Sequence, residues 1–181
     1  PDAVMPAPDR PSVSEGVNRP PALNLRDATE GDVPLVLHFV RALADYEKLL
    51  HEVRATADDF RRLLFAEPRR AAALIAEWEG APVGFALWYF SVSTFDGRPK
   101  LYVEDVFVNP DQRGRGIGRA IFADLARRTL AEGCSRMEWS VLDWNAPSIA
   151  FYRSIGALPR EGWTLQRLSG DALAALAAQE T

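Results

Sequence analysis

An apolar segment that runs directly into a glycine-rich helix start constrains the fold of this chain more than any other feature. The segment reads Val103-Glu-Asp-Val-Phe-Val-Asn-Pro, and the glycines after it are Gly114, Gly116 and Gly118. The apolar run predicts a strand, and the backbone N–H groups and dipole of a following helix start can hold an anion. Because glycine has no Cβ, a phosphate can approach this backbone closely. The stretch therefore predicts a strand–turn–helix unit that binds a ligand carrying phosphate.

The spacing of the glycines indicates which ligand. A P-loop is excluded because no lysine follows them, and a dinucleotide fingerprint is excluded because Arg119 occupies the position of its last glycine. The spacing Arg113-x-x-Gly116-x-Gly118 instead resembles the R/Q-x-x-G-x-G/A motif of the GNAT superfamily, the acetyl-CoA-dependent N-acetyltransferases. The alternative interpretation is a surface turn that begins a helix.

Size and composition narrow the class of protein. The chain has 181 residues, which suits one domain, and its net charge of -4 favours a cationic ligand over nucleic acid. Cys134 is the only cysteine, so no intrachain disulfide can form, and we expect a cytoplasmic location. No apolar run reaches the length of a membrane helix, and His38 and His51 lack metal-ligand spacing. We therefore expect no membrane insertion and no metal.

The predicted organisation is a tail followed by one domain. Residues 1–22 hold six of the thirteen prolines and predict a flexible tail, and residues 23–181 predict an N-acetyltransferase domain. We expect an α/β fold with a mixed, mostly antiparallel, twisted sheet of six or seven strands flanked by helices. The predicted strands are Ala22–Arg26, Ala71–Trp78, Pro82–Phe95, Leu101–Asn109, Arg136–Leu142 and Trp163–Leu168.

Five helices are predicted between and after these strands. The first two begin at capping boxes, Thr29-x-x-Asp32 and Thr56-x-x-Asp59. The others span Gly116–Glu132, Ala146–Ser154 and Asp171–Gln179. One apolar face of the third helix is predicted from Ile117, Ile121, Phe122, Leu125, Thr129 and Leu130.

A second motif, Asp143 to Ala157, resembles the other half of the GNAT signature. Asn145 and Tyr152 lie seven residues apart, about two helical turns, and so share one face of the predicted helix. A tyrosine hydroxyl can protonate a leaving thiolate without carrying a charge beforehand. The alternative is that Phe151 and Tyr152 only pack the helix on the sheet, which is the interpretation we favour for Phe151.

Further strings resemble one branch of this superfamily, the spermidine/spermine N-acetyltransferases, over about residues 23 to 178. The strings are Leu43-Ala-Asp-Tyr-Glu47, Val83-Gly-Phe-Ala-Leu-Trp-Tyr-Phe90, Leu101-Tyr-Val-Glu-Asp105, Asp143-Trp-Asn-Ala-Pro-Ser148 and Glu161-Gly-Trp163. The branch also includes enzymes that acetylate thialysine and other lysine-like amines, so the resemblance does not fix the substrate. It implies a homodimer to which the C-terminal part contributes.

The resemblance also implies roles for individual residues. The backbone of Val106, Phe107 and Val108 would bind the acetyl and pantetheine groups of acetyl-CoA where two strands splay apart. The backbone of Arg113, Gly114, Arg115, Gly116, Ile117, Gly118 and Arg119 would bind the pyrophosphate. Asn145 and Ser148 would flank the pantetheine arm, and Tyr152 would protonate the sulfur. The amine site would be lined by Tyr46, Glu47, Glu104, Trp139, Ser140 and Glu161.

The chemistry of the transfer fits these residue types. A free alkylamine has a pKa of about 10.4, so it arrives as an ammonium, and a carboxylate must attract it and remove a proton. We expect Glu104 to be this base and Glu47 and Glu161 to bind a second ammonium, the alternative for each being a solvated surface charge. Strand alternation predicts that Asp105 faces away from Glu104 and has a structural role.

The acceptor stays open at this point. Arg160 precedes Glu161, and its charge would either repel a polycation or pair with a substrate carboxylate. Both a diamine or polyamine and a lysine-like amino acid such as thialysine therefore fit. We expect direct transfer from acetyl-CoA to a small primary amine. The alternatives are a protein N-acetyltransferase and a non-catalytic CoA-binding regulatory module.

Overall fold

A computed structural model describes residue 20 and residues 22–179 of the chain. Apart from residues 20 and 22, the predicted tail lies outside the described residues. The chain is divided into two compact units, one ending at Ser140 and the other beginning at Val141. The first unit contains β1 (Leu23–Asp27), α1 (Val33–Tyr46), α2 (Ala57–Phe65), β2 (Ala72–Trp78), β3 (Ala81–Ser93), β4 (Arg98–Val108), α3 (Ile117–Ala131) and β5 (Met137–Trp139).

Five strands form one mixed sheet in the described part of the chain. The order is β1-β2-β3-β4-β5, with antiparallel pairs except for the parallel pair β4/β5. The α/β class is confirmed, but the expectation of six or seven strands is wrong. The predicted strand Trp163–Leu168 is irregular and fully exposed, and it pairs with none of the described strands. The predicted strand Arg136–Leu142 shortens to β5, whose pairing with β4 covers only three residues.

Local sequence signals place several of these elements correctly. Glu79 and Gly80, which lie between the predicted strands Ala71–Trp78 and Pro82–Phe95, form a hairpin turn with φ values of 51° and 82°, as a turn with positive φ at both central residues requires. The α2 helix begins at its predicted capping box. The Thr56 side chain accepts a hydrogen bond from the Asp59 amide, and the Thr56 amide donates to the Asp59 carboxylate at 2.8 Å.

Each face of the sheet carries its own apolar core. On one face α3 packs over Leu74, Val103 and Leu101, and on the other α1 and α2 pack over Phe85 and Phe107. The predicted apolar face of α3 is correct except at one position. Leu130 is 77% exposed, because a helix turns about 100° per residue and Leu130 lies well round from Ile117 and Leu125.

The second unit contains α4 (Ala146–Ser154) and α5 (Gly170–Ala177). Both helices were predicted, and α4 has the predicted bounds. Every residue from 158 to 179 is exposed, including large apolar side chains such as Leu158, Trp163 and Leu165. None of the helices in the described residues combines the length and apolar character needed to cross a membrane.

Candidate active site

The open edge of β4 is the first feature of the candidate site. β4 pairs with β5 only from Leu101 to Val103, opposite Met137 to Trp139. It then continues to Val108, still paired with β3 on its other edge. Along residues 104–108, the β5 side of β4 therefore has no strand partner among the described residues. This edge contains Val106, Phe107 and Val108, and its backbone groups can receive an extended ligand.

A β-bulge at Glu104 interrupts β4 where this edge opens. Leu87 of β3 pairs with Asp105, and the next residue, Trp88, pairs with Val103, so Glu104 has no counterpart on β3. Such a bulge places one extra residue in a strand and shifts its alternation. Val103 and Val106 consequently pack in the same core although they are three residues apart.

The bulge corrects the expectation for Asp105. Beyond the bulge, Asp105 and Phe107 are two residues apart and therefore lie on the same face of the strand. Phe107 packs in the core under α1 and α2. Glu104 and Asp105 therefore both lie on the α1 side of the sheet, and the prediction that Asp105 faces away from Glu104 is wrong. The sequence alone does not indicate the bulge, because the extra residue in β4 is defined by the pairing of β4 with β3.

Three carboxyl groups meet on this side of the sheet. Burial raises the pKa of Asp105 to about 6, and the negative charges of Glu104 and Glu47 add to the effect. Burial also raises the pKa of Glu47, which directly follows α1. Such a concentration of negative charge favours a cationic ligand. The described residues contain no group of three or more His, Cys, Asp or Glu arranged to hold a metal ion.

Two tyrosines that were not predicted as site residues lie beside the carboxyl groups. Tyr89 of β3 pairs with Tyr102 of β4, and their ring centroids are 5.3 Å apart. Burial raises the pKa of Tyr89, and the charge of Glu104 contributes. The hydroxyl groups of Tyr102 and Ser140 lie 2.8 Å apart, which places Ser140 beside this group.

Trp139 occupies the other side of the sheet. Its ring packs edge-on against Phe122 of α3, with centroids 4.9 Å apart. The structure thus places Ser140 against Tyr102 and Trp139 with the α3 core.

The end of α1 fixes Tyr46 and Glu47. The Lys48 amide donates to the Asp45 carbonyl at 3.0 Å, and the Leu49 amide donates to the Ala44 carbonyl at 2.7 Å. These two bonds form a Schellman motif. Its left-handed position is held by Lys48, with φ 63°, where glycine is usual.

The glycine loop presents a helix start suited to an anion. Gly114 and Gly116 have φ values of 78° and 80°, which favour glycine. Gly116 is the N-cap of α3 and supplies no side-chain cap to the first N–H groups, and the first turn carries no acidic residue. The Arg113 guanidinium lies 4.6 Å from the Tyr46 ring, and the Arg115 guanidinium 5.2 Å from the Trp78 ring.

The second unit carries the remaining predicted residues. The Asn145 side chain caps α4 by accepting a hydrogen bond from the Ser148 amide at 3.3 Å. Tyr152 lies on the same helix. The Arg160 guanidinium stacks on the Trp163 ring at 4.4 Å, and Glu161 between them in sequence is exposed.

Residues 39–157 match the sequence profile of the acetyltransferase (GNAT) family. The chain belongs to this family. It is an N-acetyltransferase, and enzymes of this family use acetyl-CoA as their co-substrate.

Known relatives of this acetyltransferase share most of its length. It is 39% identical to the thialysine N-epsilon-acetyltransferase of Bos taurus, over 84% of this chain and 96% of the relative. It is 34% identical to the human spermidine/spermine N(1)-acetyltransferase-like protein 1, over 86% of this chain and 24% of that protein. Among solved structures, an integron cassette protein from the mobile metagenome of V. cholerae has a TM-score of 0.73 at 23% identity, covering 87% of this chain and 99% of the other. That structural similarity shows the shared fold.

Proposed function

We propose that this acetyltransferase moves the acetyl group of acetyl-CoA to the terminal amine of a small lysine-like amino acid, with diamines and polyamines as a second class of acceptor. The observation that carries this proposal is the group formed by Glu47, Glu104 and Asp105 beside the open edge of β4. A lysine-type amine has a pKa of about 10.4 and therefore arrives as a cation, which these carboxylates attract.

Acetyl-CoA fits the chemistry of the residues present. Its pyrophosphate would bind the backbone N–H groups from Arg113 to Arg119, where glycines and an uncapped helix start leave donors available. The pantetheine arm would bind the exposed edge from Val106 to Val108, flanked by Asn145 and Ser148. When bound, the co-substrate supplies a thioester carbon that an uncharged amine can attack.

Proton transfers by two residues complete the proposed reaction. Glu104 is exposed on the bulge and removes a proton from the ammonium, directly or through water, which frees the nitrogen lone pair. Glu47 and Asp105 hold the substrate through their charge. As the nitrogen–carbon bond forms and the carbon–sulfur bond breaks, Tyr152 gives its phenolic proton to the sulfur. The acetylated amine loses its second proton, so the net reaction releases an amide, a thiol and one proton.

Two observations support the lysine-like class of acceptor. The thialysine-acetylating relative is 39% identical over 84% of this chain, whereas the spermidine/spermine-like relative is 34% identical over 86% of it. Arginine side chains such as Arg160 could pair with the carboxylate that an amino acid carries and a polyamine lacks.

Turnover of a panel of acceptors tests the proposal. CoA thiol release from acetyl-CoA is followed with thialysine, lysine, putrescine, spermidine, spermine and a peptide with a free N-terminus. The expected result is the highest kcat/KM with thialysine or lysine. Preference for a polyamine would favour binding of a second ammonium by Glu47 and Glu161, and preference for the peptide would favour a protein N-acetyltransferase. CoA binding without turnover of any acceptor would favour a regulatory module.

The Tyr152→Phe variant tests the proton donor. Turnover should fall while CoA binding persists, because the substitution removes only the hydroxyl. Phe151→Leu is the matched control, since Phe151 has no group to donate. Equal turnover of Tyr152→Phe and the wild-type enzyme would contradict the assignment.

We also propose a homodimer in which the exposed C-terminal segment, residues 158–179, contacts a second copy. Leu158, Trp163 and Leu165 are 88%, 70% and 83% exposed, which is unusual for a concentration of large apolar side chains. Sedimentation should give twice the 20.1 kDa mass of one chain. Replacing Trp163 and Leu165 by serine should shift the enzyme towards monomer, and a monomeric wild-type enzyme would contradict the proposal.

A further inference from the structure

Two arginines of the glycine loop extend to opposite faces of the sheet. Arg115 stacks on Trp78, which packs against the core under α3. Arg113 stacks on Tyr46, which packs against the core under α1 and α2. Of these two arginines, Arg113 is the one that joins the predicted pyrophosphate loop to the helix end that carries Glu47.

The Arg113 side chain is held at three points. Its Nε–H donates to the Val108 carbonyl at 3.1 Å, and its guanidinium carbon lies 4.6 Å from the Tyr46 ring and 5.8 Å from the Phe107 ring. Contacts of a guanidinium with aromatic faces at these distances are attractive. Among the described residues, no carboxylate pairs with Arg113, so its terminal N–H groups keep their capacity to bind an oxyanion.

The position of Tyr46 constrains the position of Glu47 through the backbone that joins them. Tyr46 is the last residue of α1, and Glu47 follows it inside the Schellman motif. This short connection leaves Glu47 little freedom to move independently of the Tyr46 ring. The Glu47 carboxyl group in turn acts on Asp105.

We propose that Arg113 is a positioning residue that couples acetyl-CoA binding to the amine site. A phosphate oxygen that binds the terminal N–H groups of Arg113 fixes the guanidinium plane. The fixed guanidinium holds the Tyr46 ring in place. Through the Tyr46 backbone it also fixes the position of Glu47. The inference rests on the proposed function, since it takes the glycine loop as the phosphate site and Glu47 as an amine ligand.

Thermodynamic linkage makes the coupling reciprocal, so loss of the Tyr46 ring must also weaken CoA binding. An exposed cation–aromatic contact corresponds to about a two- to fivefold change in an equilibrium constant. A residue that only lines the amine site would leave CoA binding unchanged.

Calorimetry of CoA binding and amine kinetics at saturating acetyl-CoA test the coupling. Tyr46→Leu should weaken CoA binding two- to fivefold and raise the amine KM, whereas Tyr46→Phe keeps a ring under the guanidinium and should restore both. Arg113→Lys should raise the amine KM as well as the Kd for CoA. The matched control Arg115→Lys should weaken CoA binding without raising the amine KM.

Combining Arg113→Lys with Tyr46→Leu should change the Kd for CoA by less than the two single effects added together. Additive effects, or CoA binding unchanged in Tyr46→Leu, would overturn the coupling while the proposed function stood. A wild-type enzyme that neither binds CoA nor turns over any amine would overturn both. A melting temperature for each variant separates lost coupling from lost folding.

Discussion

The carboxyl group of Glu47, at the end of α1, lies close enough to Asp105 on β4 to act on its ionisation. Burial is the main cause of the raised pKa of Asp105, about 6, and the charges of Glu104 and Glu47 add to it. Two elements far apart in sequence thus meet at one acidic site. The bulge at Glu104 brings Asp105 to that site.

Asp105→Asn should stabilise the enzyme at neutral pH. Between about pH 4 and pH 6 the folded chain keeps a proton on Asp105 that the unfolded chain has lost, so the free energy of unfolding falls as the pH rises through this window. A rise of about two pKa units corresponds to at most roughly 3 kcal/mol. Urea unfolding from pH 4 to pH 8 measures the effect, with Asp111→Asn, an exposed acid, as the control. A variant no more stable than the wild-type enzyme at pH 8 would contradict this.

The amine KM should fall as the pH rises through about 6. Over this range the substrate stays an ammonium, whereas Asp105 becomes a carboxylate and attracts it, beside Glu47 and Glu104. Initial rates at several pH values should show the inflection in the wild-type enzyme and not in Asp105→Asn. An inflection of equal size in the variant would assign it to another group.

Glu104→Gln should lower kcat by about 10²- to 10⁴-fold, the usual contribution of a general base. The Kd for CoA should not change, because the role proposed for Glu104 is in the amine site. Glu104→Asp keeps the carboxylate and should retain more activity than the glutamine variant. Full activity of Glu104→Gln would assign the base to another carboxylate, Asp105 being the first to examine.

Gly84→Ala should disturb the open edge of β4. A Cβ on Gly84 would lie 2.5 Å from the Phe107 carbonyl oxygen and 3.2 Å from the Val108 Cα, so β3 and β4 would have to move apart. We expect a loss of about 1–3 kcal/mol in the free energy of unfolding, together with weaker CoA binding. Gly31→Ala is the control, because its nearest contact is an ordinary 3.7 Å. Unchanged stability would show that the strands accommodate the methyl group.

Lys48→Gly should stabilise the end of α1 by about 0.5–1 kcal/mol. Lys48 has φ 63°, a conformation that glycine adopts without a Cβ clash, although glycine also gains entropy in the unfolded chain. The control is Lys48→Ala, which removes the same side chain and keeps the strain. Equal urea midpoints for the two variants would contradict the prediction.

Local signals in the sequence were sufficient for most of the fold. The capping box at Thr56 and the turn at Glu79 and Gly80 depend on adjacent residues, so the sequence predicts them directly. The length of a strand, by contrast, depends on whether the edge of another strand is available to pair with it. Both errors, at Arg136–Leu142 and Trp163–Leu168, arise because apolar content alone cannot say whether a neighbouring strand is present.

The candidate site was predicted less completely. The carboxylates Glu47 and Glu104 were expected from the motifs, but Asp105 was assigned to the wrong face, because the extra residue that shifts the alternation is a property of pairing with β3. Tyr89 and Tyr102 were missed, because their contact joins two strands whose register the sequence does not state.

The bulge in β4 also affects how such a site can evolve. In a regular strand, the side chains of neighbouring residues point to opposite faces. A second charged residue on one face must therefore lie two positions away from the first. Here the bulge places Glu104 and Asp105 on the same side of the sheet, while Val103 and Val106 on either side of them both pack in the α3 core. The number of charges offered to a substrate can therefore change when the insertion moves along the strand, even if no side chain is replaced.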